Sequence, residues 1–144
     1  MKNTLAVLIV IFTIFFFGSC AESPASETAR LKGRWNLTEE FYQGKKMPAE
    51  DTKTVLVFNA DSTWHVEAGG ETVAGGTFKV DPSTRPKTID YGVTQGEDSG
   101  KTFYAIYDIS GDNFKHCGER GGARPQTFES KTDTEIFLTV FKRE

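Results

Sequence analysis

The chain of 144 residues contains little cysteine and no excess of positive charge. Its two cysteines, Cys20 and Cys117, are too few for a disulfide-rich scaffold. With 17 basic against 20 acidic residues, it lacks the positive field that nucleic-acid binding requires, so no nucleic-acid partner is predicted. The length excludes a large multidomain architecture, and 38% hydrophobic with 26% charged residues is typical of one folded domain.

The sequence also lacks the short motifs that carry catalytic or cofactor chemistry. No serine lies in a Gly-x-Ser-x-Gly elbow, and the glycine-rich stretch 118–125 lacks the Lys-Ser/Thr ending of a phosphate-binding loop. His65 and His116 are the only histidines. Because His116 and Cys117 are neighbours on a predicted strand, they point to opposite faces and do not easily chelate one metal together.

Four aspartates are candidates for acid/base pairs, but their positions in turns and at strand ends explain them better: Asp81, Asp90, Asp108 and Asp112. We therefore predict no catalytic residue, no metal site and no cofactor, and a protein that is not an enzyme. An acid/base site assembled from distant strands leaves no local trace, so an exported enzyme stays an alternative.

A single strongly apolar run lies at the N-terminus and indicates an export signal. Lys2 supplies the positive start, residues 5–17 are apolar except Thr13, and the small residues Gly18 and Ser19 follow. The run of 13 residues is shorter than the roughly 20 that span a hydrocarbon core as a helix. Residues 1–19 are therefore predicted to be a signal peptide.

Residues 17–20, Phe-Gly-Ser-Cys, resemble a bacterial lipobox. The resemblance implies cleavage between Ser19 and Cys20, acylation of the Cys20 sulfur, and an exported protein anchored by lipid to a membrane of the bacterial cell envelope. An ordinary secretory signal with an incidental cysteine, or an uncleaved anchor, is the alternative. Residues 20–30 are small and polar and are predicted to form a flexible tether, which leaves 31–144 as the folded domain.

Short β-branched and aromatic runs bounded by Gly, Asp and Pro fill the folded domain. The predicted strands are 35–41, 55–59, 63–68, 72–80, 88–94, 101–109, 113–117, 126–129 and 135–142, and a helix of one or two turns is predicted around 48–53. About eight or nine consecutive strands with short connections favour an all-β fold, an antiparallel meander closed into a barrel, because closure removes exposed edges. A β-sandwich is the alternative.

Six segments in one order resemble an uncharacterised lipocalin-like domain that is abundant in planctomycete bacteria, often in small exported lipoproteins. They are LKGRW at 31–35, GKKMP at 44–48, GTFKVDP at 76–82, RPKTID at 85–90, IYDISGDNFKHC at 106–117 and RPQTF at 124–128. The resemblance implies a calycin-like barrel with no established activity, and it supplies no catalytic residues.

The opening Gly33-x-Trp35 is also similar to the first motif of true lipocalins. That similarity implies that Trp35 closes one end of the barrel and that a cation from the end of the last strand packs over its ring. The candidates are Arg143 and Lys142, with Arg124 as a third. Their role is structural and stabilises the barrel by about 0.5 to 2 kcal/mol, depending on desolvation.

Two functions follow from such a barrel. One is a membrane-anchored module that binds a small apolar or amphipathic ligand, and the other is a solid-barrel interaction or structural module at the cell surface. Five aromatic residues are candidates to line a pocket, although strand aromatics more often belong to the core: Phe58, Trp64, Phe78, Tyr104 and Tyr107. A cavity of several hundred Å³ lined by aromatics favours the first function.

Overall fold

The structure, a computed structural model, describes residues 22–49, 52–120 and 122–144. The elements in these ranges are α1 (Pro24–Leu31), β1 (Gly33–Tyr42), β2 (Lys45–Met47), β3 (Thr54–Phe58), β4 (Thr63–Ala68), β5 (Glu71–Asp81), β6 (Lys87–Gln95), β7 (Thr102–Ser110), β8 (Asn113–Glu119) and β9 (Ile136–Arg143). The predicted signal peptide 1–19 and the predicted lipid-attachment residue Cys20 lie outside the described residues.

The strands form one antiparallel sheet in the order β2-β1-β3-β4-β5-β6-β7-β8-β9. Strand β1 also pairs with β9 from Trp35↔Arg143 to Tyr42↔Phe137, which closes β1 and β3–β9 into an eight-stranded barrel. The short strand β2 is extra and pairs with the C-terminal part of β1. The predicted all-β meander, closed into a barrel of about eight or nine strands, is confirmed.

Alternating burial along the strands explains why the sheet curls around a core. In β6, Ile89, Tyr91 and Val93 are buried, and the residues between them are half-buried. Successive strand residues point to opposite faces, so one face of each strand supplies the interior. Gly76 of β5 allows the close approach of β5 and β6, because a Cβ there would lie 1.8 Å from the carbonyl oxygen of Gly92.

The prediction of a flexible tether over 20–30 is wrong for residues 24–30, which belong to α1. Ser23 and Ser26 form a reciprocal capping box, Pro24 occupies the first turn, and Arg30 lies in the last turn. The capping box and Pro24 stabilise the start of the helix, and the positive charge of Arg30 interacts favourably with the negative C-terminal end of the helix dipole. Because Leu31 is completely buried, the helix is part of the folded domain.

Three local predictions also differ from the structure. Residues 126–129 were expected to form a strand but have no strand pairing. In the segment 48–53, residues 50 and 51 lie outside the described part, and the other four residues are not helical. The chain after Tyr42 turns at 43–44 and adds β2, which composition did not indicate. In each case the segment is short, so local propensity is a weak signal.

A buried charge cluster fixes α1 across one end of the barrel, here called the closed end. The Glu27 side chain is fully buried and lies 2.5 Å from Arg30 Nη1 and 3.3 Å from Lys87 Nζ. The Tyr107 hydroxyl donates a hydrogen bond of 2.8 Å to the same carboxylate. Burial and this bond raise the pKa of Tyr107 above its usual range, so the phenol stays a donor.

Trp35 lies at the same closed end and is fully buried. Its Nε1 donates a 2.7 Å hydrogen bond to the carbonyl of Leu31, and the Arg143 guanidinium carbon lies 4.1 Å from the ring centroid. Arg143 also donates to the carbonyls of Arg30 and Lys32 at the end of α1, where helical carbonyls have no partners within the helix. One cation therefore links the indole, the helix end and β9.

Gly33 makes room for this arrangement. Its φ is +129°, and a Cβ at this position would lie 3.0 Å from Arg143 Nη1. The other two candidate cations lie elsewhere: Lys142 is exposed, and Arg124 contacts Asp90 and the ring of Tyr104. The structure thus places Arg143 over Trp35.

Candidate functional site

The end of the barrel opposite α1 contains a cavity of about 530 Å³. All nine strands contribute lining residues, together with Asp98 of the β6–β7 loop and Arg120, which follows β8. This volume falls in the range of small-molecule pockets. Below it, the aromatic core and α1 fill the closed end.

The cavity walls are predominantly apolar. They are formed by Leu56, Trp64, Val66, Ala74, Phe103 and Phe137. The one indole hydrogen-bond donor among them is already used, because Trp64 Nε1 donates to the carbonyl of Thr77 at 3.0 Å. Walls of this kind favour contact with the apolar part of a ligand, and they do not orient its polar groups.

Four residues define the cavity floor, the boundary between the cavity and the closed-end core: Tyr91, His116, Thr139 and Phe141. His116 Nδ1 and the Tyr91 hydroxyl oxygen are 3.1 Å apart, and the Tyr91 ring contacts His116 edge-on. Burial lowers the pKa of His116 to about 3, so the imidazole is neutral near pH 7. The floor therefore offers hydrogen bonding without charge.

Thr139 lies directly across from His116 in the β8–β9 pairing. Its side chain is buried, and its hydroxyl has no hydrogen-bond partner in the described structure. A buried hydroxyl without a partner costs roughly 1–3 kcal/mol. A polar group of a ligand would remove that cost.

The cavity mouth carries charged and polar side chains: Glu40, Tyr42, Asp98 and Arg120. The Tyr42 hydroxyl donates to Glu135 at 2.5 Å, and Lys101 holds the pKa of Asp98 below its usual value through a 2.7 Å contact. Arg120 forms no salt bridge with any residue in the described ranges. The mouth thus combines both signs of charge around an apolar interior.

Cys117 lies on the opposite face of β8 from His116, outside the barrel. The residue is fully buried, and Sγ donates a weak 3.9 Å bond to the carbonyl of Glu129, in the segment between β8 and β9. Burial raises its pKa to about 11, which disfavours the reactive thiolate. Lys115 stacks over Phe128 at 4.3 Å and helps to hold this segment on the outer face.

His65 also lies away from the cavity. Its Nε2 is 3.2 Å from Glu67, whose carboxylate accepts two bonds from Arg34. Arg34 and His65 lower the pKa of Glu67 to about 2, in that order of importance, so this group is a surface ion cluster. The structure does not bring His65, His116 and Cys117 together.

The four aspartates occupy separate places. Asp81 accepts bonds from the backbone and hydroxyl of Ser83 in a turn, Asp90 pairs with Arg124, and Asp112 lies 3.8 Å from Arg143. Asp108 is an exposed residue of β7. Within the described ranges, no group of three or more His, Cys, Asp or Glu side chains has a metal-binding arrangement.

The predicted pocket aromatics divide among three locations. Trp64 lines the cavity, Phe58, Phe78 and Tyr107 belong to the core, and Tyr104 is 43% exposed on the outer face. Five further residues line the cavity although no sequence pattern singled them out: Glu40, Phe103, Phe137, Thr139 and Phe141. Strand parity assigns several of them to the inner face, but depth along the barrel depends on closure between β1 and β9.

No helix among the described residues is long and apolar enough to cross a bilayer. Comparison with protein-family models, with characterised proteins and with solved structures finds no significant match to the chain. Membership of the lipocalin-like family therefore stays a prediction.

Proposed function

We propose that the protein binds a small apolar or amphipathic ligand in the cavity of its barrel. The observation that carries this proposal is the apolar, aromatic-lined cavity of about 530 Å³ above a filled closed end. A solid-barrel interaction module, the alternative function, needs an interior filled with side chains throughout its length. The cavity favours the binding function.

Binding rather than catalysis is supported by the neutral, buried environment of the floor. Cys117 and the two histidines lie in separate environments, and the four aspartates make turn and surface contacts or are exposed. An acid/base mechanism needs titratable groups within hydrogen-bond reach of one another at an open cleft. The proposal therefore includes no chemical step and no cofactor.

A matched pair of variants tests whether ligands occupy the interior. Ala74 lines the cavity, whereas its neighbour Val73 is 49% exposed. The neutral fluorescent probe N-phenyl-naphthylamine should bind the wild type and Val73→Trp, but bind Ala74→Trp at least tenfold more weakly. Equal binding to the two variants, or none to the wild type, would contradict the proposal.

The proposal further places this module on a bacterial membrane through acylated Cys20, as a member of the lipocalin-like family. The support is the lipobox-like sequence 17–20. Four residues of chain from Cys20 to Pro24 span at most roughly 15 Å. A lipid on Cys20 would therefore keep the closed end near the membrane and leave the mouth facing away from it.

The two cysteines supply the test of the anchor. Cys20→Ala should abolish metabolic labelling with an alkyne fatty acid and release the protein from the membrane fraction. Cys117→Ala, which removes the buried thiol on the barrel, should retain both. Persistent labelling of Cys20→Ala would show that the anchor is assigned wrongly, while the ligand-binding proposal would still stand.

A further inference from the structure

The cavity floor carries hydrogen-bonding atoms that the protein itself does not use. His116 is 7% exposed and is surrounded by four aromatic rings, those of Tyr91, Phe114, Phe137 and Phe141, at 5.5–5.6 Å between centroids. Its Nδ1 is paired with the Tyr91 hydroxyl, whereas Nε2 has no hydrogen-bond partner among the described residues. Unlike the Thr139 hydroxyl, Nε2 is not sealed off among the described residues, so it is open to a hydrogen-bonding partner in the cavity.

The pairing with Tyr91 favours one tautomer of His116. The phenol makes no other hydrogen bond in the described structure, and burial raises its pKa well above the usual value, so it keeps its proton and donates it. The Nδ1 atom then accepts, and the single proton of the neutral imidazole lies on Nε2. His116 is thus a neutral N–H donor at the base of the cavity.

Thr139 places a second hydrogen-bonding group beside this donor. It is 7% exposed, lines the cavity, faces His116 across the β8–β9 pair, and has a hydroxyl with no partner in the described structure. Directly opposite residues have Cβ atoms roughly 4.5–5.5 Å apart. For the hydroxyl to reach the same ligand atom as Nε2, the Thr139 side chain has to adopt another χ1 rotamer, because Oγ1 is sealed in the present one.

The chemistry that fits this floor is an uncharged acceptor. Among the described residues that line the cavity, the one cation other than histidine is Arg120, and it belongs to the mouth. A carboxylate at the floor would lose its hydration without gaining a countercharge, and an ammonium group would meet a donor. A carbonyl oxygen accepts two hydrogen bonds and needs no charge partner.

We infer that the cavity selects apolar molecules that end in one uncharged carbonyl group, which enters first and accepts hydrogen bonds from Nε2 of His116 and the hydroxyl of Thr139. This inference rests on the proposed ligand-binding function. It adds the class of ligand and the direction in which the ligand enters. The apolar chain then contacts the walls, and its far end lies at the mouth.

Four compounds with the same decyl chain test the selection by displacement of N-phenyl-naphthylamine. They are decyl methyl ketone, the isosteric alkene in which a methylene group replaces the carbonyl oxygen, the carboxylate and the ammonium compound. The wild type should prefer the ketone to the alkene by about fivefold to tenfold, which corresponds to a hydrogen bond of roughly 1 kcal/mol. Both charged compounds should bind more weakly than the ketone.

Variants then assign the preference to the floor. The double variant Tyr91→Phe/His116→Phe removes the Nε2 donor and leaves no unpaired phenol, and it should lower the preference for the ketone to the twofold to threefold share that Thr139 supplies. Thr139→Val should lower the preference twofold to threefold. Phe137→Leu, a change in the apolar wall, should alter both affinities alike and keep their ratio.

An infrared measurement on the wild type supplies a second test that needs no variant. The carbonyl stretch of the bound ketone should lie at lower frequency than that of the same ketone in hexane. Ketone and alkene affinities within twofold of each other, tightest binding of the carboxylate, or an unshifted carbonyl stretch would each overturn the inference while the proposed function stood. If neither the fluorescent probe nor any of the four compounds binds, the proposed function itself is wrong.

Discussion

Replacement of Trp35 by alanine is the sharpest test of how the barrel is closed. The indole is fully buried, packs 5.6 Å from the ring of Phe114, and lies beneath the Arg143 guanidinium. It also donates a hydrogen bond to Leu31 at the end of α1. A single substitution therefore removes core packing, a cation–π contact and the link between helix and barrel.

The expected loss follows from these contacts. Truncation of a buried tryptophan to alanine costs about 3–5 kcal/mol. The Leu31 carbonyl also loses its hydrogen-bond donor, and Arg143 loses a cation–π contact of about 0.5–2 kcal/mol. The expected loss therefore lies in the upper half of the range of about 3–5 kcal/mol. We expect a loss of about 4 kcal/mol, a large share of the roughly 5–15 kcal/mol that stabilises a domain. The melting temperature should fall by roughly 15 °C.

Urea unfolding followed by far-UV circular dichroism measures this loss without depending on tryptophan fluorescence. Trp35→Phe keeps an aromatic ring but removes the hydrogen bond, and should cost about 1–2 kcal/mol. Tyr104→Ala is the control, because Tyr104 also contacts a cation, Arg124, but is 43% exposed. It should cost less than about 1 kcal/mol. If Trp35→Ala cost no more than this control, the account of the closed end would be refuted.

Three further predictions concern buried polar groups. Burial lowers the pKa of His116 from 6.5 to about 3, so the unfolded chain binds more protons than the folded protein between these pH values. The free energy of unfolding should therefore fall by about 2 kcal/mol from pH 7 to pH 5. Urea unfolding should show this pH dependence in the wild type but not in His116→Phe. Glu27→Ala leaves the Tyr107 hydroxyl without its partner, whereas Lys87 keeps Glu22 at 2.5 Å, so the free energy of unfolding should fall by about 1–3 kcal/mol. A change below about 0.5 kcal/mol would show that the cluster does not hold α1. Cys117 should react with a mild thiol reagent only in urea, because its thiol is buried and its pKa is raised to about 11; rapid labelling of the folded protein would contradict the structure.

The error in the tether region has an identifiable physical cause. Residues 24–31 contain one large apolar side chain, Leu31, so no hydrophobic periodicity indicates a packed helix. The cap formed by Ser23 and Ser26 is visible in the sequence, but a cap alone does not show that a helix docks. The buried partners of Glu27 are Lys87 and Tyr107, which are distant in the sequence. No local pattern reveals that pairing.

The sequence by itself determined the all-β class, because apolar residues at every second position predict strands with one buried face, as with Ile89, Tyr91 and Val93 of β6. It also indicated the separation of His116 from Cys117, since neighbouring strand residues face opposite ways. The cavity and its floor were decided only by tertiary structure. Pairing of β8 with β9 places Thr139 opposite His116, and pairing of β1 with β9 closes the barrel around the space above them. The width of that space is a property of closure rather than of any local pattern.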